Sequence, residues 1–241
     1  MTGIREPGVG PTWAERAKLP GLSSVLDPAD PTGAKNALID RLHRSALGCV
    51  DRSAGRRILD FGCGTGRLTG WLGARGADVL GVDASPEMIE EARARLPSAR
   101  FEVVDSGRLP VEGDAFDTVL SVGVLQYFVT DALQLETIAR ELTRVLAANG
   151  QLVAIEQVHY GELERGGSLE AYRAGFAAGG LRATASAVRV SDSPIVGHAA
   201  RWHSTAALPG LEWLVRFEAR RITPETLVDG RYADYLFVCA R

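Results

Sequence analysis

Between residues 56 and 156 short apolar runs alternate with stretches of helical period. The runs are Ile58-Leu59 with Phe61, Val79–Val82, Phe101–Val104, Phe116–Val122 and Leu152–Ile155. Each is four to seven residues long and mainly apolar, the pattern of a buried strand. Between them Arg67–Arg75, Pro86–Leu96 and 131–146 carry apolar residues at helical spacing; in the last, Leu133, Ile138, Leu142, Val145 and Leu146 form the inward side. Ser85 is placed to cap its helix, Pro86 fits the first turn, and Pro97 ends it. Strand–helix alternation of this kind predicts an α/β fold with a parallel sheet. Before it, Gly33–Val50 reads as a helix with Leu38, Ile39, Leu42, Ala46 and Leu47 inward; His43, flanked by Arg41 and Arg44, reads as a solvated helix residue. After it, Ser168–Gly179 predicts a helix, Leu181–Val190 a strand, Ser191–Leu208 a loop-like insertion with His198, Arg201, Trp202 and His203, Leu211–Arg221 a helix and Asp234–Ala240 a last strand.

The first strand ends in Asp60-Phe61-Gly62-Cys63-Gly64-Thr65-Gly66 and a helix follows. Glycines at such a strand-to-helix turn allow unusual backbone angles and close approach of a ligand, and the helix adds free N–H groups and its positive dipole end. The spacing is G-x-G-x-G, with Arg67 where the dinucleotide fingerprint G-x-G-x-x-G needs its third glycine. Asp60, inside the turn, would repel a pyrophosphate and suits a cationic ligand. Asp83 ends the second strand and Asp105 follows the third. Ligands of open α/β sheets bind at these carboxyl ends, and a carboxylate there can accept both hydroxyls of a ribose.

The segment LDFGCGTG, and the later series FDTVLSVGVLQYF and LTRVLAANGQLVAIE, resemble class I S-adenosylmethionine-dependent methyltransferases over about Arg56–Glu156. The resemblance implies a Rossmann-like, seven-stranded, mostly parallel sheet with helices on both faces and an antiparallel last strand. It implies S-adenosyl-L-methionine as cofactor, held by Asp60, Gly62, Gly64, Gly66, Asp83, Ala84, Met88, Asp105, Ser106 and Ser121. In it Asp83 holds the ribose and Asp105 contacts the adenine amino group. Met88 suits an adenine or ribose face, and equally the core.

Composition narrows the class. The 241 residues are 46% hydrophobic and 24% charged with a net charge of −3, which provides no general field for nucleic acid or an anionic membrane. Three widely spaced cysteines suggest neither a disulfide framework nor a zinc site, and point to a reducing cytoplasmic setting. No metal is expected, and no membrane insertion; the oligomeric state is open. Residues 1–32, rich in Gly and Pro, read as an N-terminal arm or a lid with Trp13 as apolar anchor. Residues 33–241 form the main domain, with an insertion around 191–231 covering the acceptor.

Methyl transfer from a sulfonium is an in-line displacement, so the site must align donor and acceptor and remove a proton from a hydroxyl acceptor. Candidates after the fourth and fifth strands are Tyr127, Glu156, His159 and Tyr160, with His159 preferred as general base because imidazole is the side chain suited to proton transfer near neutral pH. Tyr127 stands where many members of the family carry His. No Asn-Pro-Pro-Tyr or Asp-Pro-Pro-Tyr follows the fourth strand, which argues against methylation of nucleic-acid bases; no Tyr-x-x-x-Lys pair supports an oxidoreductase. The expected acceptor is a small or sugar-containing molecule, methylated at oxygen. A small amine and a catalytically inactive cofactor-binding subunit are the alternatives.

Overall fold

The computed structural model describes residues 11–50, 54–104, 108–159, 166–201, 209–221, 227 and 231–241. Seven strands form one sheet: β1 (Arg57–Phe61), β2 (Asp78–Asp83), β3 (Arg100–Val103), β4 (Phe116–Val122), β5 (Leu146–His159), β6 (Arg182–Val190) and β7 (Tyr232–Ala240). Their order is β3-β2-β1-β4-β5-β7-β6, and β7 runs antiparallel to both neighbours. The chain turns outward in both directions from β1 and β4, so the sheet has its topological switch point there.

Alternation along the strands divides the core. Leu59, Phe61, Val119, Leu152 and Ala154 join Ile138 and Leu142 of α5 (Ala132–Val145) and Tyr172 and Phe176 of α6 (Leu169–Ala178). Ile58, Leu120, Val153 and Ile155 point the other way, onto Leu38 and Leu42 of α2 (Ala34–Ala46) and Leu68, Trp71 and Leu72 of α3 (Arg67–Gly73). Strands with apolar residues on both faces need helices on both faces. Phe237 at the middle of β7 meets Tyr172 and Phe176 at 5.1 and 5.5 Å between ring centres. α4 (Pro86–Arg95) lays Ile89 and Ala92 against Phe101 of β3. Among the described residues no helix is long and apolar enough to cross a membrane.

Three places differ from the sequence-based reading. β5 extends to His159, because β7 pairs with it antiparallel as far as His159 opposite Tyr232. Residues from Pro194 onward form a helix, α7 (Pro194–Arg201), started by the Ser193 hydroxyl accepting from the Val196 N–H. α7 and α8 (Leu211–Ala219) pack through Val196, Leu211 and Val215 into the cluster around α2; Trp202 and His203 lie outside the described residues. His43 is buried, not solvated. Its Nε2 is 3.5 Å from Asp234 on β7 and its Nδ1 3.5 Å from Arg67, while Arg189 of β6 pairs with the same Asp234 at 2.6 Å. The polar side of α2 thus faces charges brought by distant segments, which helical period alone does not show. Burial holds the imidazole below its ordinary pKa.

Candidate functional site

The turn after β1 is held by its neighbour strand: the N–H groups of Gly62 and Cys63 donate to the Val82 carbonyl at 2.8 and 2.9 Å. Gly62 and Gly64 have φ of +72° and +54°, a region L side chains avoid. Space is short as well. A Cβ on Gly62 would stand 2.2 Å from Val124 Cγ2, and one on Gly64 2.7 Å from Val25 Cγ1. Gly66 is the residue from which α3 starts.

Two acids converge here. Asp60 is buried, and Thr69 of α3 donates its hydroxyl to Asp60 Oδ2 at 2.6 Å. Burial raises Asp60 to about 6, against the hydroxyl and Arg67, which favour the ionised form. Asp83 accepts the Gly64 N–H on one oxygen and the Ser85 N–H on the other, each at 2.9 Å. Burial raises its pKa too, opposed by these N–H donors. The carboxylate therefore ties the end of β2 to the glycine turn and keeps lone pairs free, since each oxygen accepts one of these bonds.

A cavity of about 1040 Å³ opens at this switch point. Asp60, Gly62, Gly64, Asp83, Ala84 and Met88 line one part of it. Val103 and Val104, Val122 to Val124, Tyr127, Phe128, Leu133, Ile138, and Trp13 and Val25 from the N-terminal segment line the rest, which is largely apolar. Gly66 and Ser121 do not line it. Ser121 is fully buried and donates to Glu156 Oε1 at 3.1 Å. Asp105, Ser106 and Tyr160 lie outside the described residues.

Of the catalytic candidates, Tyr127 lines the cavity; Glu156 and His159 stand outside its wall. Glu156 is buried and binds the turn after β4: besides Ser121 it accepts the N–H groups of Val124 at 3.2 Å and Gln126 at 3.1 Å. Burial pushes it up to about 8 in spite of these donors. His159 is the buried last residue of β5, with neither ring nitrogen hydrogen-bonded among the described residues, and its ring lies against Gly166. Sequence reasoning missed Thr69, Val25, Val124 and the α5 residues Leu133, Gln134 and Thr137. Thr69 had no local signal, because its bond to Asp60 exists only once α3 turns back over β1.

The arrangement fits an adenosine carrying a cation. It has a tight glycine turn, a carboxylate facing the cavity, a buried methionine on the wall and a second acid beside the turn. Fold and site are similar to those of class I S-adenosylmethionine-dependent methyltransferases, the family whose cofactor is S-adenosylmethionine. Residues 58–150 match the model of a methyltransferase domain. The chain is 30% identical over 148 residues to Methyltransferase GfsG of Streptomyces halstedii, covering 58% of this chain and 50% of that protein. It is 41% identical over 98 residues to a trans-aconitate 2-methyltransferase of Methylobacterium nodulans, covering 40% and 38%. The chain thus spans half or less of the length of these two relatives. In fold it resembles geranyl diphosphate C-methyltransferase from Streptomyces coelicolor, solved with Mg2+, geranyl diphosphate and S-adenosyl-L-homocysteine: TM-score 0.60, 20% identity, 90% of this chain and 86% of that one.

Proposed function

We propose that this chain transfers a methyl group from S-adenosylmethionine to an oxygen of a small molecule with a largely apolar body. The observation that carries the reading is the two-part cavity. Its cofactor end is built from Asp60, Asp83 and the glycine turn, and its remaining wall, as far as Trp13 and Tyr127, is largely apolar with Gln134 and Thr137 among the valines and leucines. Pockets for small ligands run to roughly 300–1000 Å³, so about 1040 Å³ accommodates an acceptor beside the cofactor.

The bound cofactor supplies an electrophilic methyl on a sulfonium. In this reading Asp83 accepts from the ribose hydroxyls, Gly62 and Gly64 let the ligand approach the backbone, Asp60 favours the cationic amino-acid end, and Asp105 takes the adenine amino group. The valines and Phe128 exclude water, which strengthens the electrostatic preference of the site for positive charge. Tyr127 touches the acceptor. Glu156 fixes the turn that carries Tyr127, and His159 stays behind that wall, away from the acceptor. Because the cavity wall offers Tyr127 as its acceptor-side titratable group among the described residues, a phenolic or enolic hydroxyl, already acidic, makes the smallest demand on the protein. The buried free thiols of Cys63 and Cys239 suit a reducing compartment.

Incubation with methyl-labelled S-adenosylmethionine and a metabolite extract, followed by mass spectrometry, tests the reading. A labelled small molecule released as an O-methyl ether or ester is expected. Labelled amines would assign nitrogen instead, and tight cofactor binding with no labelled product would assign a subunit without catalysis.

A further inference from the structure

The N-terminal segment is built against the glycine turn and the acceptor wall at once. α1 (Trp13–Ala17) is started by a reciprocal cap: the Glu15 N–H donates to Thr12 Oγ1 at 3.2 Å, and the Thr12 N–H to Glu15 Oε2 at 2.8 Å. Arg16, buried, donates to the Leu26 carbonyl at 2.5 Å and lies over the Trp13 ring at 4.8 Å. Ser24 Oγ is 3.2 Å from Thr65 Oγ1 inside the glycine turn. Arg95 of α4 donates to that same Thr65 hydroxyl at 3.1 Å and to the Gly21 carbonyl at 3.4 Å. Val25 covers Gly64. These contacts hold the segment at several points along its length. Trp13 then meets Tyr127 edge-on, 5.8 Å between ring centres at 84°, and both rings line the cavity.

We propose that Trp13 is a specificity-determining residue, whose ring, braced by Arg16 and set edge-on against Tyr127, forms the wall that limits the length of an apolar acceptor. The proposal rests on the cavity being the methyl-transfer site. Its chemistry follows from the two rings. Aromatic edges and faces favour flat apolar bodies, and an indole clamped by a guanidinium has little freedom to move aside. Tyr127 comes from the turn after β4, whereas the cofactor carboxylates end β1 and β2. Trp13 therefore stands with the acceptor side of the cavity, although it belongs to the segment that covers the cofactor turn.

The test uses 4-alkylphenols of increasing chain length as probes. Their binding to the protein saturated with S-adenosylhomocysteine is measured by calorimetry, for the parent, Trp13→Ala and Trp13→Phe. In the parent, affinity should rise with alkyl length and then fall at a definite cut-off. Trp13→Ala should move the cut-off to longer chains and weaken the short phenols by roughly tenfold; Trp13→Phe should move it less. S-adenosylhomocysteine affinity should stay within about twofold throughout, since Trp13 does not belong to the cradle of carboxylates and glycines. An unchanged cut-off in both variants overturns the proposal, as does a parent that binds no phenol, or a Trp13→Ala protein that loses the cofactor product. If Trp13→Ala does not fold, the Trp13→Phe cut-off decides. Failure of the parent to bind S-adenosylhomocysteine would instead overturn the methyl-transfer reading itself.

Discussion

Replacing Asp83 by alanine removes a carboxylate that has two separate tasks in the proposed reading. Its oxygens accept the Gly64 and Ser85 N–H groups, both at 2.9 Å, and it faces the cavity where a ribose would lie. An unsatisfied buried donor costs about 1–3 kcal/mol. Here the open cavity admits water to both N–H groups, which puts the stability loss near the low end, about 1–2 kcal/mol for the pair. The ligand loses charge-assisted bonds to the ribose, about 1.5–3 kcal/mol, or roughly ten- to hundredfold in affinity. Asp83→Asn separates the tasks. It keeps the shape and one acceptor oxygen, but its NH₂ must face either the Gly64 or the Ser85 N–H, so its affinity should fall between parent and alanine variant. Calorimetric titration with S-adenosylhomocysteine, beside thermal melts to establish folding, measures both. A folded Asp83→Ala protein that binds within twofold of the parent would refute the ribose assignment. An alanine variant that unfolds while the asparagine variant binds like the parent would show that the carboxylate serves only the turn.

Three further outcomes are expected. Cofactor affinity should rise from pH 5 to 7.5 as Asp60, held at about 6 by burial, ionises; Thr69→Val, which removes the hydroxyl that favours the charged form, should move the midpoint upward, and calorimetry that finds the same midpoint in both proteins would exclude Asp60 as the charge sensed. Glu156 has a folded pKa of about 8 against an ordinary 4.5, so between those values the folded chain holds a proton that the unfolded chain has released. Its contribution makes stability fall as pH rises through that window, by up to ~1.4 kcal/mol per pH unit. Urea titrations of Glu156→Gln should show a flatter pH dependence than the parent, and parallel slopes would count against a protonated Glu156. Gly64→Val must place a Cβ at φ +54° within 2.7 Å of Val25 Cγ1; binding of S-adenosylhomocysteine should drop by at least ~tenfold with helix content by circular dichroism retained, and a titration like the parent's would remove this turn from the cofactor cradle.

Much of the fold was legible because its signals are local. A strand buried on both faces reads as a short apolar run, so Val79–Val82 falls inside β2 where its pattern predicts. The cap at Ser85 and the break at Pro97 mark α4 for the same reason. Asp60 and Asp83 could be placed together because each ends a strand, and parallel strands bring their carboxyl ends to one edge. Features that need two distant segments to meet were decided by tertiary structure alone. His43 changes from a solvated residue to a buried one because Asp234 lies 191 positions away in sequence and Arg67 is on another helix. Glu156 is claimed by the turn after β4, and His159 is drawn into β5 by pairing with β7. Trp13 reaches Tyr127 across more than a hundred residues. Periodicity reports which side of an element is apolar; it carries no information about which distant charge or ring that side will meet, because that depends on how the sheet is ordered.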